Sequence, residues 1–157
     1  MKVELWVIGK TAFAYLDDGI EIYEKRLRNY IPFQLVVYQD IKNAKNMSFD
    51  ELKRKEGESF MSKLTSDDFL ILLDENGKHY TSVEFATFFE KQMIQGRKRL
   101  IFVIGGAYGF SEEIYQRANL QISLSKMTFS HQMIRVFFVE QLYRAMTILK
   151  GEPYHNQ

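Results

Sequence analysis

The chain has 157 residues, with 46% hydrophobic and 26% charged side chains, which predicts one globular domain over residues 1–157 and excludes a disordered protein. It has no cysteine, which excludes disulfides and thiolate zinc sites. No apolar run approaches the roughly 20 residues of a membrane-spanning helix and the N-terminus lacks a signal-peptide hydrophobic region, so we expect no membrane partner and a cytoplasmic location. The net charge of +1 does not by itself favour a nucleic-acid binder.

The first half of the chain alternates strand patterns with amphipathic helix patterns. Residues 2–9 predict a strand that ends at a glycine, and residues 11–30 have apolar side chains at the three- and four-residue spacing of an amphipathic helix. Residues 33–38 are rich in apolar and β-branched side chains and predict a second strand. A serine and a glutamate at capping-box spacing then open a second helix, from residue 48 to about residue 64.

The second half continues this alternation. Residues 69–73 predict a third strand, followed by a turn at residues 74–77 and by a helix that a second capping box opens at residue 81 and Gly96 closes. The remaining predicted elements are a buried strand at 101–104, a short helix capped by Ser111, a strand at 120–124 and a long helix at 131–150. Five strands alternating with five helices predict an α/β fold, with a mainly parallel sheet and helices on both faces.

Two loops that follow neighbouring predicted strands have a similar layout. Gly105, Gly106 and Gly109 follow the fourth strand, where glycines allow positive φ and the close approach of a ligand to the backbone. The polar residues 125–130 follow the fifth strand in the same way. Because α/β sheets bind ligands where their strands end, the two loops predict one pocket.

The half of the chain that contains these loops is also the more basic half. Residues 1–96 have 13 basic and 16 acidic side chains, whereas residues 97–157 have 8 basic and 4 acidic ones. This asymmetry would suit the docking of a polyanion near the pocket. Chance variation of the surface charge accounts for it equally well.

Several common enzyme motifs are absent. A dinucleotide-binding fingerprint belongs after the first strand, whereas the glycines here follow the fourth, and there is no Walker loop. His79, His131 and His155 lie far apart in sequence without carboxylate or cysteine ligands at metal-binding spacing, so we expect no metal. Ser125 and Ser130 near His131 could be a nucleophile and its base, but no nucleophile elbow accompanies them, and hydroxyls that cap the last helix are the simpler interpretation.

The last predicted helix is apolar around more than one face. Its hydrophobic side chains, among them Phe137, Phe138 and Leu142, exceed what one face of a sheet can cover. A monomer that exposed them would carry an unusually large apolar patch. We therefore expect a homodimer.

Several motifs together resemble one known family over essentially the whole chain. The most specific are Ser-Lys-Met-Thr-Phe at residues 125–129 and Gly-Glu-Pro-Tyr-His at residues 151–155, with Phe-Val-Ile-Gly-Gly at residues 102–106 as a further match. They are similar to the bacterial ribosomal RNA large subunit methyltransferase H family, part of the SPOUT superfamily of knotted methyltransferases. The resemblance implies transfer of a methyl group from S-adenosylmethionine to N3 of a pseudouridine in 23S rRNA, on assembled ribosomes. It also implies a C-terminal trefoil knot, which no sequence pattern indicates.

The same resemblance implies which residues form the site. Those around the cofactor are Leu73, Gly105, Leu124, Ser125, Lys126, Met127, Thr128 and Phe129. Tyr154 and His155 are the implied catalytic residues, since the family's tail positions the base or removes its proton, and Tyr and His suit these roles. Asn156 stands where relatives commonly carry a basic residue. The alternative interpretation is structural: Leu73 and Leu124 would be ordinary core residues, and Tyr154 and His155 would belong to a frayed C-terminus.

Two other functions stay open at this point. One is a knotted methyltransferase with another RNA target, and the other is a non-catalytic ribosome-assembly factor that retains the fold. The intact glycine turn and the loop at residues 125–129 argue against the second, because a lost activity would permit their decay. Candidate RNA contacts are Lys126, Arg135, Arg144 and residues 97–99, each with ordinary surface charge as the alternative.

Overall fold

The structure, a computed structural model, describes residues 1–156 and consists of strands and helices in strict alternation. The elements are β1 (Lys2–Ile8), α1 (Ala14–Leu27), β2 (Phe33–Tyr38), a 3₁₀ turn (Ala44–Asn46), α2 (Phe49–Met61), β3 (Phe69–His79), α3 (Ser82–Ile94), β4 (Arg99–Ile104), α4 (Glu112–Arg117), β5 (Leu120–Ser123) and α5 (Met133–Leu149). Five strands and five α-helices are therefore present in the predicted order.

The strands form one sheet in the order β2-β1-β4-β3-β5, and every neighbouring pair is parallel. One row across its centre places Leu5, Phe102 and Ile71 side by side, and all three are fully buried. Central strands covered on both faces need continuous apolar runs, which explains the pattern of the sequence. The predicted parallel α/β sheet is confirmed.

Helices cover both faces of the sheet. On one face α1, α3 and α5 pack together, and their buried side chains, such as Ile20, Phe89 and Phe138, share a core with one set of strand residues. On the other face α2 and α4 contribute Phe60 and Ile114 to a second, smaller core. The long helix α5 lies between α1 and α3, which makes it the best-buried helix of the fold.

The third strand differs from the prediction, because the turn expected at residues 74–77 lies inside it. Strand β3 continues to His79 after an irregularity between Leu73 and Lys78, and Ile122 of β5 pairs with both of these residues. Residues 74–77 are thus extra residues of β3 between two residues that pair with the same residue of β5, as in a β-bulge. A Cβ on Gly77 would lie 2.6 Å from backbone atoms of Ile122, so the two backbones are in close contact there. Local turn chemistry predicted the bend and missed a partner more than 40 residues away in sequence.

The helix starts agree with the capping predictions in two cases out of three. Thr81 and Glu84 form the complete capping box at the start of α3, and Ser48 accepts a hydrogen bond from the backbone N–H of Glu51 at 3.2 Å. Ser111 occupies the predicted N-cap position of α4, but its side chain makes no capping hydrogen bond. Its buried hydroxyl has no hydrogen-bond partner among the described residues, and it packs instead against Gly57 of α2.

We expect Gly77→Ala to destabilise the fold by about 3 kcal/mol or more, because a Cβ would overlap backbone atoms that cannot move independently. Gly19→Ala is the matched control, since its Cβ would meet only the two methyl groups of Val136, at 3.4 Å and 3.8 Å, and would favour helix α1. Urea denaturation followed by circular dichroism measures both variants. An unfolding midpoint of Gly77→Ala equal to that of the wild type would contradict the close contact between the two backbones.

Candidate functional site

A cavity of about 580 Å³ opens at the carboxyl end of the sheet. Three segments form its wall, namely residues 73–76 of β3, residues 104–110 after β4 and most of residues 123–131 after β5. Ile134 at the start of α5 and Tyr115 of α4 complete the wall. The volume lies within the range of small-molecule sites, and the position is the one where parallel sheets bind ligands.

Seven of the eight predicted cofactor residues line this cavity. They are Leu73, Gly105, Leu124, Ser125, Met127, Thr128 and Phe129. Lys126 does not contribute to the wall, although it lies in the same loop, and its side chain is exposed. An ammonium group keeps its hydration in solvent while its less polar neighbours cover the cavity. The structure thus brings together the two predicted loops, and the binding role of their residues stays a prediction.

The glycine turn is shaped by contacts within the protein. Gly109 has φ +84°, and its N–H donates to the carbonyl of Gly106 at 3.2 Å. A Cβ on Gly105 would lie 3.1 Å from the carbonyl oxygen of Gly109, and one on Gly106 would lie 2.5 Å from a carboxylate oxygen of Glu56. The positive φ of Gly109 and the close neighbours of Gly105 and Gly106 therefore favour glycine in this turn, in addition to any ligand that approaches it.

The loop after β5 is ordered by its own hydroxyl groups. Ser123 donates to the carbonyl of Ser125 at 2.8 Å, and the Ser125 hydroxyl accepts from the backbone N–H of Met127 at 2.9 Å. Ser130 accepts from the N–H of Met133 at 3.1 Å at the start of α5. These contacts agree with the structural interpretation of Ser125 and Ser130, in which hydroxyls hold a loop and cap a helix.

The cavity has an acidic side that the sequence interpretation missed. Asp74 and Glu75 line it directly after Leu73, and Glu75 accepts a hydrogen bond from Thr128 at 3.0 Å across the two loops. Tyr115 donates to Asp74, and burial together with this carboxylate raises the pKa of the tyrosine. The strand-end rule that identified Leu73 could have identified Asp74 and Glu75, whereas no sequence pattern links Tyr115 to them.

His131 also lines the cavity, at the end of the loop that leads into α5. Burial, and next the positive charge of Arg135, lower the pKa of His131, which keeps its imidazole neutral near pH 7. Arg135 was a candidate RNA contact, and that interpretation is wrong. Its side chain is 1% exposed, and its guanidinium donates to the carbonyls of Ile8 at 2.7 Å and Gly9 at 2.9 Å.

The two predicted catalytic residues lie away from the cavity of their own chain. Tyr154 donates a hydrogen bond to Glu140 at 3.0 Å, and its ring packs on that of Tyr143. The pKa of Tyr154 is raised, mainly by burial. His155 lies 3.4 Å from the guanidinium of Arg144. These partners lie at residues 140–144 of α5, and Tyr143 is about 14 Å along the helix from Ile134, which lines the cavity at the start of α5. The tail is therefore held against α5, and the structure does not bring it together with the cavity.

Within residues 1–156 we find no group of three or more His, Asp or Glu side chains arranged to hold a metal ion. Over the same part of the chain, none of the helices has the length and apolar character needed to cross a membrane.

Comparison with known proteins gives matches over the full chain. The family model described as "Predicted SPOUT methyltransferase" matches residues 1–155. The chain is 56% identical over 157 residues to ribosomal RNA large subunit methyltransferase H of Parabacteroides distasonis, 55% to that of Christiangramia forsetii and 56% to that of Flavobacterium johnsoniae, and in each case the match covers all of both chains. The family that the sequence motifs suggested is confirmed. The chain belongs to the ribosomal RNA large subunit methyltransferase H family of SPOUT methyltransferases.

Proposed function

We propose that this methyltransferase transfers a methyl group from S-adenosylmethionine to N3 of a pseudouridine in 23S rRNA, on assembled ribosomes in the cytoplasm. The observation that carries the proposal is the cavity at the carboxyl end of the sheet, which two loops with the family's motifs enclose. Full-length identity above 50% to relatives named for a large-subunit rRNA supports the substrate. The acting unit would be a single domain of residues 1–157.

The residues of the cavity fit S-adenosylmethionine. Backbone groups of the glycine turn and of residues 124–129 would hold the adenine edge, since both segments present main chain between small or apolar side chains. Asp74 and Glu75 offer carboxylates to hydroxyl or ammonium groups of such a ligand. When bound, the cofactor supplies a methyl group on a positively charged sulfur, and the chain's own residues orient it and exclude water.

Methylation of N3 further requires that the base be aligned and its N3 proton removed. Tyr154 and His155 are the residues that we propose for these steps. The pKa of Tyr154 is raised, so its phenol stays protonated and acts through hydrogen bonding and stacking. An imidazole can accept a proton near neutral pH, which suits His155 for the other step.

We also propose that the protein acts as a homodimer, because the tail of one chain lies far from its own cavity. The apolar patch on α5 is smaller than the sequence indicated, since Phe138 and Leu142 are fully buried and only Phe137 is exposed. Exposed aromatic side chains nevertheless gather at the starts of α1 and α5, where Phe129 packs on Phe137 at 4.9 Å and Phe13 remains half exposed. A second copy that covers this face could bring its tail to the cavity.

The trefoil knot implied by the family belongs to the same proposal. It is supported by the family match over residues 1–155. Leu73 and Lys78 both pair with Ile122, and Gly77 lies in contact with the same backbone, so the end of β3 packs closely on β5.

The expected result for the cofactor site is that the wild-type protein binds S-adenosylhomocysteine, the demethylated product, without added metal. Gly105→Val should weaken this binding at least 10-fold, because a branched side chain 3.1 Å from the Gly109 carbonyl would distort the cavity wall. Gly19→Ala, a glycine outside the cavity, should bind like the wild type. Titration calorimetry measures all three proteins, and undiminished binding by Gly105→Val would remove the turn from the site.

For the tail, we expect Tyr154→Ala and His155→Ala to lower the rate of methyl transfer to ribosomes by about 10²–10⁴, the usual effect of losing one positioned acid–base group. Cofactor binding should stay unchanged, because neither residue lines the cavity. Asn156→Ala, the exposed neighbour, is the control. Wild-type turnover in both variants would make the tail a structural end.

Deletion of the gene should leave one pseudouridine of 23S rRNA without its methyl group. Return of the gene on a plasmid should restore that methyl group. Mass spectrometry of rRNA fragments measures both strains. A methyl group lost from another RNA would favour a different target for the same enzyme. An unchanged methylation pattern would favour the non-catalytic assembly factor.

A further inference from the structure

Helix α2 places a buried carboxylate directly behind the glycine turn. Glu56 is 8% exposed, and its oxygen would lie 2.5 Å from a Cβ on Gly106. The carboxylate therefore lies against the backbone of Gly106, whose N–H favours its charged form. Glu56 does not itself line the cavity, so it reaches a ligand there only through the backbone of the turn.

The next residue of α2 contacts the other end of the same turn. A Cβ on Gly57 would lie 2.7 Å from the hydroxyl oxygen of Ser111, which follows the turn. Glu56 and Gly57 therefore touch the segment of residues 105–111 at its start and at its end. This two-point contact supports the backbone that forms one wall of the cavity.

The carboxylate of Glu56 has no cationic partner. None of the ion pairs within residues 1–156 includes it. Burial raises its pKa from 4.5 to about 7, the N–H of Gly106 opposes this shift, and the negative charge of Asp40, which follows β2, adds to it. Glu56 consequently changes its charge near neutral pH.

We propose that Glu56 is a positioning residue, whose ionised carboxylate holds the N–H of Gly106 and so fixes the glycine turn in the shape that receives the cofactor. The proposal rests on the proposed function, because it assigns the cavity to S-adenosylmethionine. A charged acceptor binds an N–H roughly twice as strongly as a neutral one, so the protonated acid holds the turn less firmly. Cofactor affinity should then rise as the pH increases from 6 to 8.

Deprotonation of Glu56 changes the stability of the fold in the direction opposite to its expected effect on cofactor affinity. The pKa of Glu56 is raised in the folded state, so between pH 4.5 and about 7 the folded protein keeps a proton that the unfolded chain has lost. Glu56 therefore lowers stability as the pH rises through this interval. If Glu56 acted only through the stability of the fold, the cofactor affinity would decrease with the stability as the pH rises. If Glu56 positions the glycine turn, the cofactor affinity increases instead.

The test compares the wild type with Glu56→Gln, which keeps the shape of the side chain and cannot ionise. Glu58→Gln is the matched control, because Glu58 lies on the same helix, is exposed and pairs with Arg54. Calorimetry with S-adenosylhomocysteine at pH 6, 7 and 8 gives the affinities. Glycine-selective ¹⁵N labelling gives at most nine amide signals, among which Gly106 reports the contact without any ligand.

From pH 6 to pH 8, we expect the affinity of the wild type and of Glu58→Gln for S-adenosylhomocysteine to rise about 5-fold relative to that of Glu56→Gln. The cause is the difference between a charged and a neutral acceptor for the N–H of Gly106. The Gly106 signal should shift with a midpoint near pH 7 in the first two proteins and stay constant in the third. Glu56→Gln with the affinities and pH profile of the wild type would overturn the proposal, as would a Gly106 signal that does not titrate. A wild type that binds no S-adenosylhomocysteine while Gly106 titrates would overturn the proposed function and leave the contact standing.

Discussion

The buried guanidinium of Arg135 joins the start of α5 to the end of β1, and the position of the whole C-terminal segment depends on it. Its donors bind the carbonyls of Ile8 and Gly9, the hydroxyl of Thr11 and, on its own helix, the carbonyl of His131. A buried cation without such partners would be very costly, so these oxygens determine where the side chain can lie. Because Arg135 lies in the first turn of α5 and also binds the carbonyl of His131, the same bonds tie the end of the preceding loop to β1.

The irregular pairing of β3 with β5 complements this anchor at the cavity wall. Residues 74–77 lie between two residues that both pair with Ile122, and Asp74 and Glu75 line the cavity with the loop that leaves β5. The hydrogen bond from Thr128 to Glu75 connects the two segments. The cavity is thus formed between a loop that leads to Arg135 and the bulged end of β3.

The sequence predicted most of the fold and about half of what determines the site. Continuous apolar strands and regularly spaced helix residues identified all ten elements, because these patterns depend on burial that repeats along the chain. Glycines and hydroxyls at strand ends predicted the two loops, since parallel strands bring their carboxyl ends together. Tyr115, Glu56 and the role of Arg135 were missed, because each depends on a contact between residues far apart in sequence. The turn predicted at residues 74–77 is present only as an irregularity within β3, where Asp74 accepts from the N–H of Asn76 at 2.8 Å, and the pairing that follows it depends on β5, which is distant in sequence.

The contacts of the tail divide the proposed chemistry between its two residues. Arg144 binds Glu140, the same carboxylate that accepts the hydrogen bond of Tyr154, so the phenol faces a neutralised pair and is fixed by it. Its ring is further held between Tyr143 and the guanidinium of Arg144, 4.7 Å from the ring centre. A ring held on several sides suits the orientation of a base better than the uptake of a proton. Among the described residues, the hydrogen-bond contact of His155 is to Arg144 at 3.4 Å, and because a guanidinium can only donate, Nδ1 of His155 is the acceptor. Proton uptake at Nδ1 would break this contact, whereas the hydrogen bond and ring contacts of Tyr154 would stay in place. In the proposed reaction His155 therefore has to leave Arg144 before it can act on the base.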